Sequence, residues 1–134
     1  HRIYGHNLIA EQGHAAGTDA AAEREAVDNN PDTFWIAPSL HGILEVRFDK
    51  PITFDRAVTM ERLNDGQHVE EYTIEAWQNG RWKPLVRAHA IGHKKIDIFP
   101  SCTAQRIRLN LISTSGTAVI REFQIFNGNS ASGR

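Results

Sequence analysis

Apolar and polar residues alternate with a period of two through most of the chain. Leu44, Val46 and Phe48 alternate with Glu45, Arg47 and Asp49, the pattern of a strand with one buried face. Val58 and Met60 alternate with Thr59 and Glu61, and Tyr72, Ile74 and Ala76 with Thr73 and Glu75. Ile107, Leu109 and Leu111 alternate with Arg106, Arg108 and Asn110. In the last strand Val119, Phe123 and Ile125 are expected on one face, and Ile120, Glu122 and Gln124 on the other. Between Trp77 and Trp82 stands Asn79-Gly80. Both residues tolerate positive φ, so the pair predicts a type I′ hairpin. Residues 1–42 lack this regularity. Their one helix candidate spans residues 18–26, Ala-rich and with Thr18 or Asp19 able to cap it. Repeated strands and at most one short helix predict an all-β sandwich or barrel.

The length of 134 residues allows one domain with a real core. We expect the domain to occupy residues 1–128 and the small polar residues 129–134 to form a flexible tail or linker. A net charge of −1 leaves no broad basic face for nucleic acid. No apolar run is long enough to span a bilayer. The chain opens on His1 rather than Met and reads as an excised domain or processed chain. Cys102 is the sole cysteine, so no internal disulfide can form, and no glycosylation sequon occurs.

The chemistry concentrates in AVDNNPDTFW, residues 26–35. Asp28, Asn30, Asp32 and Thr33 could supply several oxygens to a hard cation such as Ca²⁺ from one tight turn. On spacing alone an Asx-rich turn that satisfies its own backbone explains them more simply. His89 and His93 lie four apart in what reads as a turn, not a helix, and His41 and His68 fall in loops. Surface histidines explain these better than zinc. Cys102 has no local base. There is no nucleophile elbow, phosphate loop or dinucleotide fingerprint, and no carboxylate pair stands out for glycoside hydrolysis. Trp77 and Trp82 read as cross-strand partners. Trp35 reads as a buttress for the oxygen-rich loop.

Several stretches, in order, resemble discoidin-type or coagulation factor 5/8 type C domains. AVDNNPDTFW resembles their first long loop, LEVRFDKPITFDRAVTMERL the paired strands after it, and YTIEAWQNGRWKPL a hairpin. FPSCTAQRIRLNL and REFQIFNG resemble the two closing strands. The likeness runs from about Asn7 to Gly128 and includes carbohydrate-binding modules of family 32. ERLNDGQHVEEYTIEAW and AIGHKKIDIF resemble, more narrowly, the C-terminal β-sandwich of bacterial α-L-fucosidases of glycoside hydrolase family 29.

The resemblance implies a galactose-binding-like jelly-roll sandwich with a structural Ca²⁺. Its ligands would be the Glu25 carbonyl, Asp28, the Asn30 carbonyl, Thr33, the Arg121 carbonyl and Glu122. Phe34 and Trp35 would anchor the loop to the core. Asn29 stands where the family usually has Gly, and Asn tolerates left-handed φ better than other side chains. A sugar site would draw on His41, Arg62, Asn64, His68 and His93, although no aromatic platform stands beside them.

The implied function is a non-catalytic carbohydrate-binding module for a galactose- or fucose-containing glycan. It would serve a larger glycoside hydrolase at a secreted, periplasmic or cell-surface location. The alternative is an accessory domain that packs on the catalytic barrel and binds no sugar. An enzyme in its own right ranks lowest. A lipid-binding role would need apolar loop spikes, for which only Leu40 and Ile91 qualify.

Overall fold

The computed structural model describes residues 7–17, 20–30, 32–38, 42–63 and 66–128. There are seven strands among the described residues: β1 (Gly13–Ala15), β2 (Trp35–Ile36), β3 (Ile43–Glu61), β4 (Val69–Gln78), β5 (Arg81–Ala88), β6 (Lys95–Thr114) and β7 (Val119–Phe126). The segments of predicted alternation fall in β3, β4, β6 and β7, whereas β1 and β2 lie in the stretch that lacked it. All their pairings are antiparallel. Two strands are unusually long. The first half of β3 pairs with β1 and the second half of β6, which continues to β4 and β5. The second half of β3 pairs with β7 and the first half of β6, and β7 continues to β2. The β3–β6 register shifts between Arg47 and Ile52 and again between Phe54 and Arg56. Such irregularities let a strand bend from one layer into the next. Pro51, which cannot donate to a ladder, falls inside the first shift. The result is a jelly-roll β-sandwich.

Leu44, Val46, Phe48, Ile74, Ile107 and Leu109 of one layer share a buried core with Phe54, Ala57, Phe123 and Ile125 of the other. Phe54 and Phe99 meet edge to face at 6.0 Å. The hairpin is as predicted. Asn79 and Gly80 have φ of 54° and 78°, and Trp77 and Trp82 face each other across it with ring centroids 5.3 Å apart.

Three expectations need correction. The N-terminal region holds two short helices rather than at most one: α1 (Leu8–Gln12) and α2 (Ala20–Glu23), the latter prolonged by a 3-10 turn, Arg24–Ala26. α1 is too short for a periodic signal; the Asn7 side chain caps it by accepting from Ile9 N at 3.2 Å. At the end of β3 the polar residues also turn inward: Thr59 and Glu61 are fully buried. In β7 the register steps from Met60↔Glu122 to Glu61↔Ile120, so Arg121 is the extra residue of a β-bulge. The bulge puts Ile120, not Val119, on the buried face with Phe123 and Ile125. The proposed tail, 129–134, lies outside the described residues, as do Thr18, Asp19, Leu40, His41 and Asn64.

Candidate functional site

The oxygen-rich loop closes on the Thr33 hydroxyl. Thr33 Oγ1 lies 2.5 Å from Asp28 Oδ2, 2.9 Å from the Asn30 carbonyl and 3.0 Å from the Glu25 carbonyl. One hydroxyl hydrogen can serve only one of these acceptors. Asn29 adopts φ 63°, the left-handed turn expected of it. Its N–H donates to Glu122 Oε2 at 2.8 Å. Asx turns complete the loop, with Asn30 N donating to Asp28 Oδ1 and Asp32 N to Asn30 Oδ1, each at 3.0 Å.

Glu122 binds the loop to the last strand across 93 residues. Its side chain is fully buried. Oε1 has no hydrogen-bond partner among the described residues. Burial pushes its carboxyl up to about 8; the Asn29 N–H opposes the rise and the neighbouring Asp28 charge adds to it. Asp28 and Glu122 thus face each other as two acceptors. Five of the six expected metal donors come together in this way through Thr33 and Glu122. The sixth, the Arg121 carbonyl, belongs to the bulge residue next to Glu122.

These residues fit a hard cation. They crowd oxygens round too few hydrogens, and they leave a buried carboxylate oxygen unmet. They do not fit zinc: no three His, Cys, Asp or Glu side chains converge among the described residues. Sequence reasoning missed the second ring of support. Asn7 Nδ2 and Gln124 Nε2 donate to Asn29 Oδ1 at 3.1 and 3.2 Å, and Asn7 Oδ1 accepts from Ile125 N at 3.3 Å. Asn7 carries no pattern that would betray this, since its partners are 22 and 118 residues away.

The described sugar candidates fall in loops at one end of the sandwich. Arg62 and His68 lie between β3 and β4, and His93 between β5 and β6. The Arg62 N–H donates to the Val119 carbonyl at 2.9 Å. Its guanidinium stacks over the Phe34 ring, 4.3 Å from the centroid. Phe34 is therefore half-buried under Arg62 and not a core anchor, whereas Trp35 is buried as expected. The His68 carbonyl accepts from Ser115 N at 2.8 Å. His68 Nδ1 is buried without a partner among the described residues. Gly116 lies against that ring, where an added Cβ would come within 3.0 Å of Nδ1. His93 is exposed.

A cleft of about 550 Å³ opens elsewhere, beside α2 and the outer face of β3 and β6. Glu23, Trp35, Pro38, Ile43, Glu45 and Arg108 are among its walls, and none of the three loop candidates is. Cys102 is buried, and burial pushes its thiol up against the opposing pull of Lys83. That is not the setting of a nucleophile.

The family model described as the F5/8 type C domain matches residues 10–123. No curated protein is recognisably similar in sequence. Among solved structures, SpGH29 is 23% identical over 92% of this chain and 28% of its own, with a TM-score of 0.80. A putative α-L-fucosidase from Bacteroides thetaiotaomicron is 19% identical over 92% of this chain and 29% of its own, at a TM-score of 0.77. Chitosan-binding module 1 of a chitosanase/glucanase from Paenibacillus sp. IK-5 is 17% identical over 91% of this chain and 98% of its own, at 0.76. The chain thus spans less than a third of the two larger proteins and nearly all of the module.

Proposed function

This chain belongs to the F5/8 type C domain family, and from that premise we propose that it is a non-catalytic carbohydrate-binding module working beside the catalytic domain of a glycosidase outside the cell. The observation that carries this reading is the gathering of three loops at one end of the sandwich, with a guanidinium and two imidazoles at hand. Arg62, held on Phe34, offers a planar set of donors to sugar hydroxyls. His68 and His93 add donor or acceptor nitrogens. The fucosidase and chitosan-binding likenesses support a glycan ligand, with fucose, galactose and glucosamine units as the first candidates. A Ca²⁺ ion held by Glu25, Asp28, Asn30, Thr33, Arg121 and Glu122 would fasten the first loop to the last strand and supply rigidity, not chemistry.

The test is a glycan array on the isolated chain, followed by titration of the strongest ligand. Arg62→Ala should weaken that ligand at least tenfold. Unchanged affinity moves the site away from the loop end.

A second reading has its own observation. Ile36 and Ile43 are exposed beside the 550 Å³ cleft, and exposed apolar side chains grouped this way suit a partner domain. A domain that binds no glycan on the array, and associates with a catalytic domain through Ile36 and Ile43, is an accessory packing domain instead.

A further inference from the structure

We infer that Glu61 is a positioning residue that sets the relative placement of the loops carrying Arg62, His68 and His93; the part concerning glycan affinity rests on the reading above. Glu61 is the last residue of β3 and is fully buried. Among the described residues its carboxylate meets no cation. Instead it accepts three backbone N–H groups, from the last residue of the β3–β4 loop, the first residue of β4 and the β5–β6 loop. Oε2 takes His68 N at 2.8 Å and Val69 N at 3.1 Å, and Oε1 takes Gly92 N at 3.3 Å. The Glu61 N–H returns a bond to the Gly92 carbonyl at 3.0 Å. One side chain thereby fastens the β3–β4 loop to the β5–β6 loop, next to Arg62 in the chain. The His68 carbonyl carries the link on to Ser115 in the third loop.

An apolar residue would be the ordinary choice at the end of a core-facing strand. A buried carboxylate there is expensive unless its donors are fixed in place. The geometry round it is specialised to meet that need. The Arg121 bulge sits opposite the Met60–Glu61 step and re-aims the ladder at this point. Gly92 holds φ 73°, and a Cβ on it would come within 3.2 Å of Gln67 Oε1, so the two loops approach each other at this glycine. The arrangement stabilises one particular geometry of irregular backbone, which is the task of a residue that supports a binding surface.

Glu61→Gln keeps the size and removes the charge. Gly92→Ala attacks the same link from the other side and leaves the buried carboxylate in place. Hydrogen exchange should show the amides of His68, Val69 and Gly92 losing at least tenfold protection in both variants, while those of Leu44, Ile107 and Leu109 keep theirs. Fucose, galactose and a chitosan oligomer, each titrated into parent and variants, should bind at least tenfold more weakly to the variants, even where the melting point moves little. Unchanged loop protection overturns the inference. Lost protection and a lower melting point with unchanged affinity also overturn it, because Glu61 would then be structural only. A parent that binds none of the three probes sinks the glycan reading alone, and the exchange pattern still decides whether Glu61 holds the loops.

Discussion

Single residues carry the metal hypothesis, and Glu122 is the sharpest of them. Without a cation its buried carboxylate faces Asp28 with one oxygen unmet. Glu122→Gln removes the ionisation that burial and the Asp28 charge oppose. Above about pH 8, where the parent's carboxyl is ionised, the variant should therefore melt above the parent in chelator, and it should gain nothing from Ca²⁺. The parent should gain: an ion at about 100 times its dissociation constant adds roughly 2.7 kcal/mol. Each kcal/mol is worth about 2–8 °C in a domain of this size. Differential scanning calorimetry above about pH 8, with and without Ca²⁺, checks both signs, and a Glu122→Gln variant that melts below the parent in chelator there contradicts the account. Asp55 supplies the acid limb. Burial alone would raise its carboxyl, but the bonds from Arg56 and from Gly128 N outweigh burial and lower it. A lowered carboxylate stabilises the fold above its unfolded value, and that contribution is lost as pH falls through the folded one. The loss therefore lies below about pH 4. Asp55→Asn should be less stable than the parent at neutral pH and lose less on acidification, as read from urea midpoints across pH.

At the scale of elements, the hairpin between β4 and β5 was legible from two residues, because Asn79-Gly80 accepts the positive φ of a tight turn. Gly80 at φ 78° is where a side chain would strain the turn. Gly80→Ala should cost about 1 kcal/mol, seen as a lower urea midpoint with an unchanged slope. The strands of β3, β4 and β6 were equally plain, since alternation follows directly from one buried face. What stayed hidden were the places where period two breaks. Nothing local marks Arg121 as a bulge, so Val119 was expected where Ile120 packs. Thr59 and Glu61 look solvent-facing by residue type, and only the tertiary placement of Val69 and Gly92 shows why Glu61 is buried. The oxygen-rich loop stood out by its composition. Asn7 was missed, and Phe34 was expected on the core rather than under Arg62, because their partners are distant in sequence.

At the scale of the molecule, the two layers hold the oxygen-rich loop and the three loops round Arg62, His68 and Gly116 on one frame, and β7 serves both. Glu122 anchors the first loop, and three residues earlier Val119 accepts from Arg62. Family membership fixes the frame; what the loop end does must come from its own side chains. The most direct measurement is a two-dimensional amide spectrum of the Ca²⁺-loaded chain during titration with the strongest array ligand. Binding at the loop end predicts saturable shifts in Arg62, His68, His93 and Gly116, with Glu23, Ile43 and Arg108 of the separate cleft still. Shifts confined to that cleft, or none at any glycan concentration, would contradict the account.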